Sequence, residues 1–204
     1  MRIDVLIYPG FDELDAIAPF EVLKKAAAGG ADFAVRLVSG SPCDEVVAAN
    51  GLRVRPEAVL DPSAPPELVL VPGGGWVDRA AAGARAEVER GEVPALLAEL
   101  YRAGSTIAAV CTGTMLVAAA GLLRGRPAVT HHGAIDDLRA AGATVVRARV
   151  VDAGRLITAG GVTSGLDLAL WLVERFAGPA AAVSVEARLE YERRGTVWRA
   201  PGAT

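Results

Sequence analysis

The chain has 204 residues, 52% of them hydrophobic, and its 21 Lys and Arg against 24 Asp and Glu give a formal net charge of -3. That length suffices for one α/β domain with a full core, so a single domain over residues 1–204 is expected. No run of Lys and Arg suggests a nucleic-acid footprint, no apolar run approaches a membrane span, and two cysteines make no disulfide framework.

Residues 3–8 (Ile-Asp-Val-Leu-Ile-Tyr) read as a first strand that Pro9-Gly10 ends. A helix is expected around 19–28, with Pro19 in its first turn and Gly29-Gly30 past its end. Asp15 then lies just before that helix, at the carboxyl end of strand one, where ligands of open parallel sheets gather. A solvated acid or helix cap is the plainer reading of Asp15. Residues 33–39 read as strand two. Residues 44–49 and 52–55 flank Asn50-Gly51, a strong hairpin signal, and Cys43 in the preceding loop has no assigned role.

Residues 67–71 (Glu-Leu-Val-Leu-Val) read as a buried strand running into Pro72-Gly73-Gly74-Gly75-Trp76, whose glycines let backbone N–H groups approach a ligand. The nucleotide signatures G-x-G-x-x-G and G-K-[ST] are missing, so an oxyanion-binding turn fits better than a phosphate cradle, with a plain tight turn as the alternative. A helix follows at 92–103, with Pro94 in its first turn.

Residues 105–110 form an apolar, partly β-branched run of strand length, and residues 114–120 are rich in helix formers. Cys111 falls on the corner between them. The helix end and its N–H groups favour an anion there, the conditions that lower a thiol's pKa and make a thiolate nucleophile. A buried cysteine acting as a small hydrophobe is the alternative. Residues 127–131 read as a short strand ending in His131-His132, the two histidines of the chain. Either could assist proton transfer or be structural, and with no third ligand at suitable spacing no metal site is expected.

Residues 133–141 suggest a short helix, and 144–151 with 155–159 a hairpin around Asp152-Ala153-Gly154. Gly160 to Gly165 lead into a buried helix, Leu166–Phe176, which Gly178-Pro179 breaks before a final helix at 180–193. Strands alternating with helices imply α/β class, with a largely parallel sheet covered on both faces.

Several of these stretches together carry a resemblance. They are the first strand with Asp15 and Pro19, Leu-Val-Leu-Val-Pro-Gly-Gly at 68–74, Ala-Val-Cys-Thr-Gly at 109–113, Gly-Arg-Pro-Ala-Val-Thr-His at 125–131, and Gly-Gly-Val-Thr-Ser-Gly-Leu-Asp at 160–167. The combination resembles the ThiJ/PfpI superfamily. That resemblance implies a flavodoxin-like three-layer sandwich related to class I glutamine amidotransferases, with a cysteine nucleophile elbow at Cys111. Within the superfamily the chain is most similar to isonitrile hydratases and to the amidase-like sensor domains of AraC-type regulators. Asp15 stands where much of the superfamily has Glu, and Thr112 follows the cysteine where protease-like members carry His. His132 stands where hydratases often have a bulkier aromatic.

The resemblance further implies an anion pocket made by the Gly74 and Thr112 N–H groups, His131 near the site, a small-molecule substrate, no cofactor and a homodimer. In the chemistry it implies, the Cys111 thiolate attacks an isocyanide to give a thioimidate, water adds, and an N-formamide leaves. Asp15, held protonated by burial and the neighbouring negative charge, supplies a proton and then helps a water. The alternatives are a non-catalytic ligand-sensing domain, or a glyoxalase- or amidase-like enzyme of the same superfamily. Only Gly195–Thr204 follows the last expected helix, too short for two helix-turn-helix units, which favours an enzyme. The N-terminus opens directly into a strand, so a cytoplasmic protein is expected.

Overall fold

The computed structural model describes residues 1–202. The first strand, β1 (Arg2–Ile7), is buried over its last five residues and leads into helix α1 (Glu13–Ala28). Asp12 caps α1, its side chain accepting from Leu14 N–H at 3.1 Å. This cap starts the helix well ahead of residue 19. Asp15 therefore sits inside the first turn rather than before the helix, and Pro19 in the interior rather than at the start. Pro19 lacks the N–H that would bond the Asp15 carbonyl, a gap the helix tolerates here.

Strand β2 (Ala34–Ser39), the short hairpin β3 (Val46–Val47) and β4 (Arg53–Val54), edge strand β5 (Ala58–Val59) and the fully buried β6 (Leu68–Val71) follow. Next come α2 (Ala84–Arg90), α3 (Glu92–Arg102), β7 (Thr106–Ala109) and α4 (Gly113–Ala119). Helix α2 was not foreseen from the sequence; it is one short run of Ala, Arg and Glu bracketed by Gly83 and Gly91 in positive-φ backbone.

The last third holds β8 (Pro127–Ala128), a 3-10 turn (His132–Ala134), α5 (Ile135–Ala140), β9 (Thr144–Val145), β10 (Val150–Asp152) and β11 (Leu156–Ala159). It closes with α6 (Ser164–Ala177), α7 (Pro179–Leu189) and β12 (Trp198–Arg199). The expected arm at 144–151 divides in two: β9 pairs with β8 apart from the main sheet, and β10 pairs antiparallel with β11. Helix α7 stops short of 193 because Glu190 turns left-handed, with φ 49°. Strand β12 then lies beside β10, an addition too short to leave a periodic signal.

The main sheet has the order β12-β10-β11-β7-β6-β1-β2-β5, and every adjacent pair is parallel except β10 with β11. Helices α1, α6 and α7 pack on one another, and α2, α3, α4 and α5 form a second group. This is the flavodoxin-like α/β arrangement. Its central strands are buried on both sides, as continuous apolar runs require.

Sheet and following helix meet closely where β6 passes the start of α4. A Cβ placed on Gly113 would stand 2.3 Å from the Val71 carbonyl oxygen and 2.5 Å from that of Pro72. Both obstacles are backbone and cannot rotate away. Gly113→Ala is therefore expected to lower stability by about 1–3 kcal/mol, read as a lower urea midpoint at unchanged m-value.

Candidate active site

Parallel pairing sets the carboxyl ends of β1, β6 and β7 side by side, with β6 in the middle, so the turns after these strands converge. Cys111 sits on the turn after β7 with φ 57°, a left-handed backbone that a residue with a side chain rarely adopts. Its backbone is held on both sides. The Cys111 N–H donates to the Ala159 and Gly160 carbonyls at 3.1 and 2.9 Å, and its carbonyl accepts from the Thr130 hydroxyl at 2.8 Å. The residue is only 5% exposed. The N–H groups of Thr112 and Val162 act on its thiol, and Val162 is itself in positive-φ backbone.

Asp15 reaches the same corner from α1 and is wholly buried. Its Oδ2 accepts from Gly73 N–H at 2.9 Å. Its Oδ1 is buried without a hydrogen-bond partner of good geometry, although the Cys111 thiol is close enough to act on the carboxyl. Burial pushes the Asp15 carboxyl up to about 8; Asp12 adds to the rise and the Gly73 N–H opposes it. Burial and then the charge of Asp15 push the Cys111 thiol up to about 12, against the Val162 and Thr112 N–H groups.

The lowering expected for Cys111 from its place at a helix start is thus outweighed by desolvation. The thiol's rise also depends on Asp15 being ionised. The two groups titrate as a pair, and the direction common to both is retention of protons well above the ordinary carboxylate range.

The glycine turn ties the two sides of the corner together. The N–H that meets Asp15 belongs to Gly73, whereas Gly74 N–H donates to Thr112 Oγ1 at 3.0 Å. Gly74 lies at φ 119°, and a Cβ there would meet Asp12 N at 2.6 Å, so the turn closes directly on the α1 cap. Tyr8 fastens it from below, its hydroxyl donating to the Pro72 carbonyl at 2.5 Å.

His131 Nδ1 accepts from Gly133 N–H at 3.1 Å, which leaves the ring proton on Nε2. Burial, followed by His132, lowers its pKa, so the ring is neutral at pH 7. It lies against Gly161, beside the loop that carries Val162, and forms no hydrogen bond with Cys111 or Asp15. His132 is exposed, its ring 4.1 Å from that of His131. Cys43 is exposed, and both cysteines are free. Among the described residues, no group of three or more His, Cys, Asp or Glu could hold a metal ion.

Sequence reasoning missed Tyr8, Gly73, Thr130 and Val162. Gly73 and Tyr8 had a signal, since both adjoin strand ends that converge on the site. Val162 had none, because a β-branched residue in left-handed backbone runs against its own preference.

The DJ-1/PfpI family profile matches residues 1–175. The chain belongs to the DJ-1/PfpI family. It is 32% identical to the isonitrile hydratase of Pseudomonas putida, over 94% of this chain and 78% of that protein. It is also 32% identical to the HTH-type transcriptional regulator CdhR of Pseudomonas aeruginosa, over 88% of this chain but only 52% of the regulator. A crystal structure of a ThiJ/PfpI family protein from Pseudomonas syringae superposes with a TM-score of 0.80 at 28% identity, covering 95% of this chain and 76% of that one.

Within this DJ-1/PfpI site the raised carboxyl has a consequence for stability. Asp15 binds its proton up to about 8 when folded and only below 3.8 when unfolded. The folded state therefore holds more protons across that interval, and stability from this group is complete below it and lost as pH rises through about 8. Asp15→Asn removes the titration. Its melting temperature relative to the unmodified protein should rise steadily between pH 4 and pH 8 (the interval set by those two values); a flat difference would place the carboxyl in its ordinary range.

Proposed function

We propose that the chain is a cysteine-dependent isonitrile hydratase, with Cys111 as nucleophile and Asp15 as proton carrier. One observation carries this reading: a wholly buried carboxyl, raised so that it keeps its proton, leaves one oxygen unpartnered beside a thiol on a strained turn. The 32% identity to the Pseudomonas putida hydratase supports it.

The atoms balance without a cofactor. The Cys111 sulfur bonds to the terminal carbon of R–N≡C while that carbon takes a proton from Asp15, and the thiol proton refills the carboxyl. The product is the thioimidate R–N=CH–S–Cys. Asp15 then gives that proton to the nitrogen and takes one from a water as the water oxygen adds to the carbon, forming R–NH–CH(OH)–S–Cys. Collapse expels the thiol and releases R–NH–CHO. Passing protons along the Asp15–Cys111 pair avoids creating an isolated buried charge, which the surroundings of both groups penalise.

The nitrogen end of the substrate is set against the Gly74 and Thr112 wall. There Thr112 Oγ1, which already accepts from Gly74 N–H, has its own proton to donate. His131, neutral and with its ring proton on Nε2, is an assisting group for the water. Cys111 works as a free thiol, which a reducing cytoplasm maintains. A homodimer would cover Leu14, Val47 and Leu52, exposed apolar residues that the Glu13–Asn50 hydrogen bond at 2.7 Å draws together.

The competing reading is a ligand-sensing domain without turnover, and it draws on the similarity to CdhR. Incubation with an aromatic isocyanide separates the two. The protein should release the N-formamide, Cys111→Ala should release none, and Asp15→Asn should fold but lose about 100-fold or more in rate. Asp15→Glu, which keeps the acid but shifts it by a methylene, should lose less. Saturable isocyanide binding with no formamide would replace the hydratase with the sensor.

A further inference from the structure

Beside the elbow opens a cavity of about 860 Å³, lined by residues drawn from 129–139, 145–149 and 160–164. Its volume is that of small-molecule sites. Cys111 does not line it, so it is distinct from the candidate catalytic corner. Two of its lining residues nevertheless hold the elbow, since the Gly160 carbonyl accepts from Cys111 N–H and the Thr130 hydroxyl donates to the Cys111 carbonyl.

Three features define what could enter. Val129, Ile135, Val145 and Val146 give it apolar lining. The cations around it are unequal. Arg149 is committed to Asp167 at 2.6 Å and Arg139 to Asp136 at 2.5 Å, whereas Arg147 has no acidic or hydrogen-bonding partner among the described residues. Ser164, only 2% exposed, also lines the cavity, and its hydroxyl has no hydrogen-bond partner among the described residues. That hydroxyl is free to exchange a hydrogen bond with an occupant of the cavity.

We propose that this cavity is a second small-molecule site, for a monocarboxylic acid with an apolar body and a further hydroxyl or carbonyl oxygen. The carboxylate pairs with Arg147, the one guanidinium lining the cavity that has no acidic partner. The body lies along the valine and isoleucine lining, and the second oxygen hydrogen-bonds Ser164. A dianion finds no second free cation among the residues lining the cavity, and a purely apolar molecule leaves both polar groups unmatched.

The probe is 4-hydroxyphenylacetate, titrated calorimetrically into the full chain beside its neutral amide and phenylacetate. Saturable binding is expected. Arg147→Gln should weaken it about tenfold or more, and the neutral amide should bind the unmodified protein correspondingly less well. Ser164→Ala should reduce the hydroxy acid to the affinity of phenylacetate. Cys111→Ala should leave the affinity unchanged, so failure of the hydratase reading would not alter this result. Lack of saturable binding up to ~10 mM, equal affinity in Arg147→Gln, or loss of binding in Cys111→Ala would each overturn the proposal.

Discussion

Two protonatable groups share one nearly dry corner, and both resist ionisation there. Asp15 is wholly buried, and Cys111 is almost so. Removing either group from water penalises its charged form, and placing a negative charge on one penalises it further on the other. Much of the surrounding structure serves to hold this unfavourable proximity. The Asp12 cap starts α1 early enough to carry Asp15 inward, the Gly73 N–H fixes one of its oxygens, and the Tyr8 hydroxyl holds the turn that supplies that N–H. On the opposite side, Ala159, Gly160 and Thr130 bind the polar backbone atoms of Cys111 and so sustain its left-handed conformation.

That proximity also ties the fold to the chemistry. An isolated thiol on the same turn would have only the Thr112 and Val162 N–H groups to stabilise its negative charge. In the proposed reaction the carboxyl beside it lets the pair exchange protons internally, leaving net charge unchanged while a carbon–sulfur bond forms. The strain at Cys111 and Val162 and the unpartnered Asp15 oxygen are stability costs located at one place, where strain and unsatisfied polar atoms most often accompany function.

The strands most legible in the sequence were those with the least local ambiguity. Short apolar runs closed by Pro or Gly read as buried strands at β1, β6 and β7, and Asn50-Gly51 marked a hairpin. The placement of Cys111 on a strand-to-helix corner followed from the change in composition around it. The start of α1 did not, because the proline signal at Pro19 competed with the Asp12 cap, and a cap acts through one hydrogen bond that composition does not display. That Gly73 N–H meets Asp15 while Gly74 N–H meets Thr112 Oγ1 depends on φ values that adjacent glycines leave free. The raised thiol was illegible for a different reason: helix position is a local property, whereas burial is a property of the whole fold.

The account rests on Asp15 keeping its proton beside Cys111. The most direct measurement is infrared difference spectroscopy of the carboxylic acid C=O stretch through a pH titration, comparing the unmodified protein with Asp15→Asn. Glu87 is also raised by burial, so the Asp15→Asn comparison is what isolates the signal. The account predicts a protonated-carboxyl band at neutral pH that is missing from Asp15→Asn and fades as pH rises through about 8. Identical spectra for the two proteins at neutral pH would contradict it, because Asp15 would then be an ordinary carboxylate with no proton to give.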